Sequence, residues 1–195
     1  MKSLIALALL IASVIVVAQS APSSLAKQKF VSSGTIRMQL EAGAYVIRPS
    51  DSEDIVVTWH ARSERDESSV KVAIKRDGST ATVSIKDTPN RDFRAIIEVP
   101  RRSDLRIRLS AGELQVEAVE GNKDLELRAG SLAVDVPNPA QYGKCDASVW
   151  TGSLEAAAFG VSKGGLFRSF EQEGAGKYRL HAHVMSGEIN LQKVD

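Results

Sequence analysis

The sequence predicts an all-β fold, a single-domain, β-solenoid-like array of short stacked strands with glycine corners. Three observations carry that expectation. A short apolar pattern returns five times around a glycine. Strand and turn signals fill the rest of the chain, and no long amphipathic helix interrupts them. From Gly112 onward the pattern glycines follow at spacings of 18, 22 and 35 residues, close to one or two units of a repeat near 20 residues that suits stacked strands.

The five glycines are Gly43, Gly112, Gly130, Gly152 and Gly187. Five residues before each stands Met38, Ile107, Leu125, Ala147 or Ala182; three before, Leu40, Leu109, Leu127, Val149 or Val184. Two after stands Tyr45, Leu114, Leu132, Leu154 or Ile189; four after, Ile47, Val116, Val134, Ala156 or Leu191. Side chains alternate along a strand, so each pair of positions shares one face. The step from three before to two after is odd. On a straight strand it would turn the second pair to the opposite face. Keeping both pairs in one core requires a bend, and glycine permits one because it lacks a Cβ and tolerates positive φ. Each unit therefore reads as strand, glycine corner, strand.

Outside the repeats the elements follow in order. Residues 21–33 read as a flexible lead-in. Residues 34–195 form the β-repeat domain, opening with the unit around Gly43. Pro49 to Ser52 marks a turn. Ile55 to Arg62 is a strand rich in β-branched residues. Ser63 to Ser69 is a charged loop or one helical turn. Val70 to Ile74 and Ala81 to Ile85 are strands joined through Asp77-Gly78, the strongest hairpin signal in the chain. Phe93 to Val99 is a strand closed by Pro100, and residues 50–100 are expected to cap one end of the stack. The long gap between Gly152 and Gly187 reads as a doubled period holding one degenerate unit. Glu171 to Lys177, with two glycines, reads as a loop.

Residues 1–20 are different in kind. Lys2 precedes a run of apolar and small residues from Leu4 to Ala18, followed by Gln-Ser-Ala-Pro. This is the arrangement of a secretory signal peptide cleaved between Ala18 and Ala21, with an uncleaved N-terminal anchor as the alternative. The stretch is short for a membrane span of about 20 residues, and no later segment is apolar enough to be an integral membrane segment. An exported, periplasmic, cell-surface or secreted location follows. Loss of the leader removes Lys2 and leaves 24 basic and 24 acidic residues. That balance speaks against a nucleic-acid partner and against a polybasic membrane binder. Cys145 is the only cysteine. The fold must therefore rest on its core without an internal disulfide, and a buried, inert thiol is the expectation.

Between core positions the charges alternate. Arg106 and Arg108 flank Ile107, and Glu126 takes the same register in the next unit; stacking would bring Arg106 or Arg108 beside Glu126. His181 and His183 project from one side of a strand. Two imidazoles in that relation can share a metal, but no third ligand is evident near them in the sequence, so no metal or cofactor is assigned. His60 shows no partner. Asp124, Glu126, Asp135 and Asp146 are the carboxylates that a polysaccharide-cleaving enzyme on such a scaffold would draw on, and Trp150 could stack on a sugar. No catalytic motif joins them, and no catalytic residue is assigned.

The run Val99-Pro100-Arg101-Arg102-Ser103-Asp104-Leu105-Arg106-Ile107-Arg108-Leu109-Ser110-Ala111-Gly112-Glu113-Leu114 resembles the putative adhesin domain family of bacteria, as does Val184-Met185-Ser186-Gly187-Glu188-Ile189 at the C-terminal end. The resemblance covers about residues 34–195. Ala129-Gly130-Ser131 and Thr151-Gly152-Ser153 depart from the family's usual Asp-rich units. It implies an envelope-associated β-solenoid-like domain of unknown molecular function, with no catalytic residues. The leading expectation is thus a non-enzymatic, adhesin-like domain that binds a protein or envelope polymer through its outer faces and strand edges. The alternatives are a carbohydrate-active enzyme on the same scaffold and an envelope-stress scaffolding or sensory domain.

Overall fold

A computed structural model describes residues 24–31 and 33–194, for residues 162–167 the backbone alone; the expected signal peptide lies outside them. Twelve strands form one mixed sheet: β1 (Leu25–Lys29), β2 (Thr35–Leu40), β3 (Gly43–Ser50), β4 (Asp54–His60), β5 (Lys71–Asp77), β6 (Thr80–Lys86), β7 (Arg94–Pro100), β8 (Asp104–Val116), β9 (Lys123–Asp135), β10 (Tyr142–Ala156), β11 (Val161–Glu173) and β12 (Tyr178–Gln192). One short helix, α1 (Glu64–Ser69), separates β4 from β5.

The glycine-centred units are bent strands. β8 and β9 run parallel, in register from Leu105↔Lys123 to Val116↔Val134. A straight strand of the 13 residues of β8 would be ~43 Å long at ~3.3 Å per residue. The link Glu117–Asn122 that returns the chain to the start of β9 can span at most ~25 Å. Only a strand folded back on itself allows so short a return. The bend falls at the glycine, where Gly112, Gly130, Gly152 and Gly187 adopt φ of 118°, 125°, 137° and 141°. Gly43 opens β3 without a positive φ; there the unit is divided, with β2 pairing the first half of β8 and β3 the second half.

Across the sheet the five glycines align as Gly43, Gly112, Gly130, Gly187 and Gly152. The twenty flanking apolar residues align in four inward rows, and all twenty are at most 4% exposed. One row reads Met38, Ile107, Leu125, Ala182, Ala147; another reads Tyr45, Leu114, Leu132, Ile189, Leu154. Leu125 is fully buried in this central stack. Leu125→Ala is expected to lower stability by about 2–5 kcal/mol in urea denaturation, because the surrounding strands cannot close the cavity.

The order of the stack departs from the chain order. β12 inserts between β9 and β10. The gap between Gly152 and Gly187 holds no parallel unit. It holds β11, which folds back antiparallel on β10 after a turn at Ala157–Phe159 and left-handed Gly160. Antiparallel strands also lie at the other end: β4 pairs β7 and β1, and β5 pairs β6. The Asp77-Gly78 hairpin is in place, with Gly78 at φ 56°.

Within the segment expected as a lead-in, residues 25–29 form β1 on the edge beside β4. Its pull is mostly backbone pairing and its flanks, with Phe30 2% exposed and Lys27 paired to Asp54 at 2.9 Å. Ser63 caps α1 by accepting from the Asp66 amide at 3.2 Å. The helix covers Trp59, whose indole N–H donates to the Glu67 carbonyl at 3.2 Å.

Candidate functional site

The bend divides the outer surface of the sheet in two. On the part before the corner, outward residues form rows just as the inward ones do. One row runs Arg37, Arg106, Asp124, His181, Asp146, Glu171 across β2, β8, β9, β12, β10 and β11. The next runs Gln39, Arg108, Glu126, His183, Ser148, Ser169. Basic side chains thus stand on β2 and β8, carboxylates on β9, imidazoles on β12, and acidic or hydroxyl groups on β10 and β11. Of these, Arg106, Asp124, Glu126, His181, Asp146 and Glu171 line an open groove of about 860 Å³, with Asp104, Asn122, Lys144 and Arg179 also on its walls.

Three of the four carboxylates considered from sequence meet here. Asp124, Glu126 and Asp146 lie in the groove, whereas Asp135 is beyond the corner on β9 and accepts from Gln192 at 2.6 Å. Arg108 clasps the first two. Its guanidinium donates to both oxygens of Asp124 at 3.1 Å and lies 3.0 Å from Glu126 Oε2. Of the two arginines that stacking could bring beside Glu126, the register selects Arg108. Each group is a third or more exposed, so each ion pair is worth at most about 1 kcal/mol in water.

The two histidines part company. His181 Nδ1 is hydrogen-bonded to Asp146 Oδ2, and His183 Nδ1 to the Ser148 hydroxyl at 2.8 Å. The two imidazoles do not form a shared cluster; instead, ligand atoms of His181 and of two carboxylates on the neighbouring strand, Asp124 and Glu126, all lie within 4.8 Å of one another. His60, which showed no partner in the sequence, pairs with Glu67 at 3.5 Å. The Ala61 amide and the Ser24 hydroxyl also donate to that carboxylate; the backbone bond first, then the hydroxyl, hold its pKa below the usual value.

Beneath the groove lies a residue that sequence reasoning missed. Lys123 is 2% exposed. It takes an inward position in the row Ile36, Leu105, Lys123, Leu180, Cys145. Its ammonium donates to the Val119 carbonyl at 2.6 Å and the Tyr142 hydroxyl at 2.7 Å. Burial pulls its pKa down to about 8, against the opposing pull of Asp104 and Glu120. In the same row Cys145 is 1% exposed, and burial pushes its thiol up to about 12, the state of an inert thiol. Trp150 and Met185 are exposed on the same outer side, toward the corner.

Two carboxylates this close could serve a retaining glycosidase, which needs about 5 Å between them and one proton shared out as general acid. Here both carboxylates are already engaged by the Arg108 guanidinium.

No protein-family model matches this sequence, and none of the curated proteins does. Among solved structures, a putative adhesin from Parabacteroides merdae aligns at 12% identity over 58% of this chain and 64% of its own, with a TM-score of 0.26, too low to define a common fold. The crystal structure of a putative cell adhesion protein from Clostridium sporogenes aligns at 11% identity over 87% of this chain and 99% of its own, with a TM-score of 0.55. The bent-strand sheet described above is therefore a fold that this chain shares with that bacterial protein.

Proposed function

We propose that the protein is an exported, non-enzymatic binding domain of the cell envelope or surface, adhesin-like in role, which holds a protein or envelope polymer against its outer face. One observation carries this reading: a broad groove across six strands lined by side chains of both charges, of which Asp124 and Glu126 pair with Arg108, and Lys144 with Glu171. Side chains already held in ion pairs on a sheet suit recognition of a polar surface. The parallel, glycine-aligned stack supports reading residues 34–195 as a solenoid-like repeat domain, released after residues 1–20 are removed as a signal peptide. The fold shared with a putative cell adhesion protein supports the same role.

The test is binding of the purified protein to an array of envelope polysaccharides and to immobilised envelope proteins, with the double variant Arg106→Glu, Arg179→Glu in parallel. Both arginines line the groove. The expected result is saturable binding by the wild type and at least tenfold weaker binding by the variant. Equal binding by the two, or turnover of a glycan by the wild type, overturns the reading.

A further inference from the structure

We propose that Asp124, Glu126 and His181 form a binding site for one divalent transition-metal ion of the zinc class, with Asp146 as the positioning residue behind the imidazole. The inference stands on the local geometry and is independent of any adhesive role.

The site is assembled by strand register. Asp124 and Glu126 are two apart on β9 and so share its outer face; His181 on β12 lies directly opposite Asp124, and Asp146 on β10 lies directly opposite His181. The ligand atoms of Asp124, Glu126 and His181 fall within 4.8 Å of one another, close enough for small side-chain movements to bring all three to the ~2.0–2.2 Å of zinc–nitrogen and zinc–oxygen bonds. One imidazole with two carboxylates is a donor set for zinc and its neighbours, not for the hard, all-oxygen cations. It leaves coordination positions for water or a ligand.

The hydrogen bond from His181 Nδ1 to Asp146 does two things. It fixes the ring orientation, and it assigns the proton to Nδ1, which leaves the Nε2 lone pair free for a metal. Carboxylate, histidine and metal in that order are the usual outer-shell arrangement of zinc sites. His183 lacks it, since its partner is the Ser148 hydroxyl.

The local charge is mixed. Asp124, Glu126 and Asp146 bring three negative charges, and Arg108 offsets one of them. Of the other basic side chains in the groove, Lys144 is already paired with Glu171, while Arg106, opposite Asp124 in register, and Arg179 also line it. Arg108 then has a defined role: in the metal-free protein it holds the two carboxylates together, and an entering ion competes with it for them.

The experiment is calorimetric titration of Zn²⁺ into the purified, chelator-treated protein, repeated with Co²⁺, whose visible spectrum reports its ligands. One equivalent of each is expected to bind. His181→Ala should weaken binding at least a hundredfold, and Asp146→Asn about 10–100-fold, the usual effect of losing an outer-shell partner. His183→Ala should bind as the wild type does. Arg108→Ala should bind more tightly, because it removes the competing cation. Absence of a one-to-one isotherm, an equal loss in His183→Ala and His181→Ala, or weaker binding by Arg108→Ala overturns the proposal. Circular dichroism of each variant separates loss of the site from loss of the fold.

Discussion

Gly130→Ala should lower stability by more than about 4 kcal/mol, a loss reserved for a few named mechanisms, or prevent folding altogether. Two effects combine at this position. Its φ of 125° is one that residues with a Cβ rarely adopt. A Cβ there would also overlap the carbonyl oxygen of Gly112 on the adjacent strand. That oxygen belongs to backbone held in the parallel ladder, so it cannot move aside as a flexible side chain would. Gly78→Ala is the control. It has φ 56° but nothing within 4 Å of the added carbon, and should cost only about 1–2 kcal/mol, the left-handed penalty alone. Urea denaturation of both variants measures the difference. Equal losses at the two sites, or a Gly130→Ala protein as stable as the wild type, would remove the close-packed glycine column from the account.

Lys123 should make stability rise with pH in the alkaline range. Its folded pKa is depressed from 10.5 to about 8. The stability linked to it is therefore fully present above pH 10.5 and is lost as pH falls to 8. The difference between those limits corresponds to about 3 kcal/mol. Cys145 acts in the opposite sense. Its folded pKa is raised from 9.0 to about 12, so its contribution is complete below pH 9 and is lost as pH climbs toward 12. The two overlap, and the measurement belongs in a Cys145→Ala background. There, the stability of the protein with Lys123 minus that of Lys123→Met should increase between pH 8 and pH 10.5. A difference that stays flat across that interval would mean that the ammonium keeps its charge without penalty.

The bent-strand architecture was legible because the odd five-residue step across each glycine can be reconciled with a one-sided core in only one way. All twenty positions picked out by that step are buried. The stacking order was not legible. Spacing along the chain cannot distinguish a doubled repeat from a hairpin, and β11 proved to be the antiparallel partner of β10. Lys123 was hidden for another reason. It follows Gly121-Asn122 and reads as the polar end of a turn, while its inward direction depends on pairing with Leu105 and Leu180. The groove was half legible. Each outward residue could be identified strand by strand, and stacking adjacent units put Arg106 or Arg108 beside Glu126, of which the register selects Arg108. The meeting of Asp124 and His181 did not, because it requires β12 to insert beside β9, and no local signal announces that insertion.

The reversed direction of β11 has a consequence for growth of the molecule in space. A parallel pile of identical corners is open-ended: each exposed rim is a template for another rung, from the same chain or from a different one. Here the last rim belongs to a strand of opposite polarity, which breaks the repeating hydrogen-bond pattern and carries Glu171 and Glu173 in solvent. A reversed, acidic edge is one of the devices by which sheets discourage edge-to-edge growth.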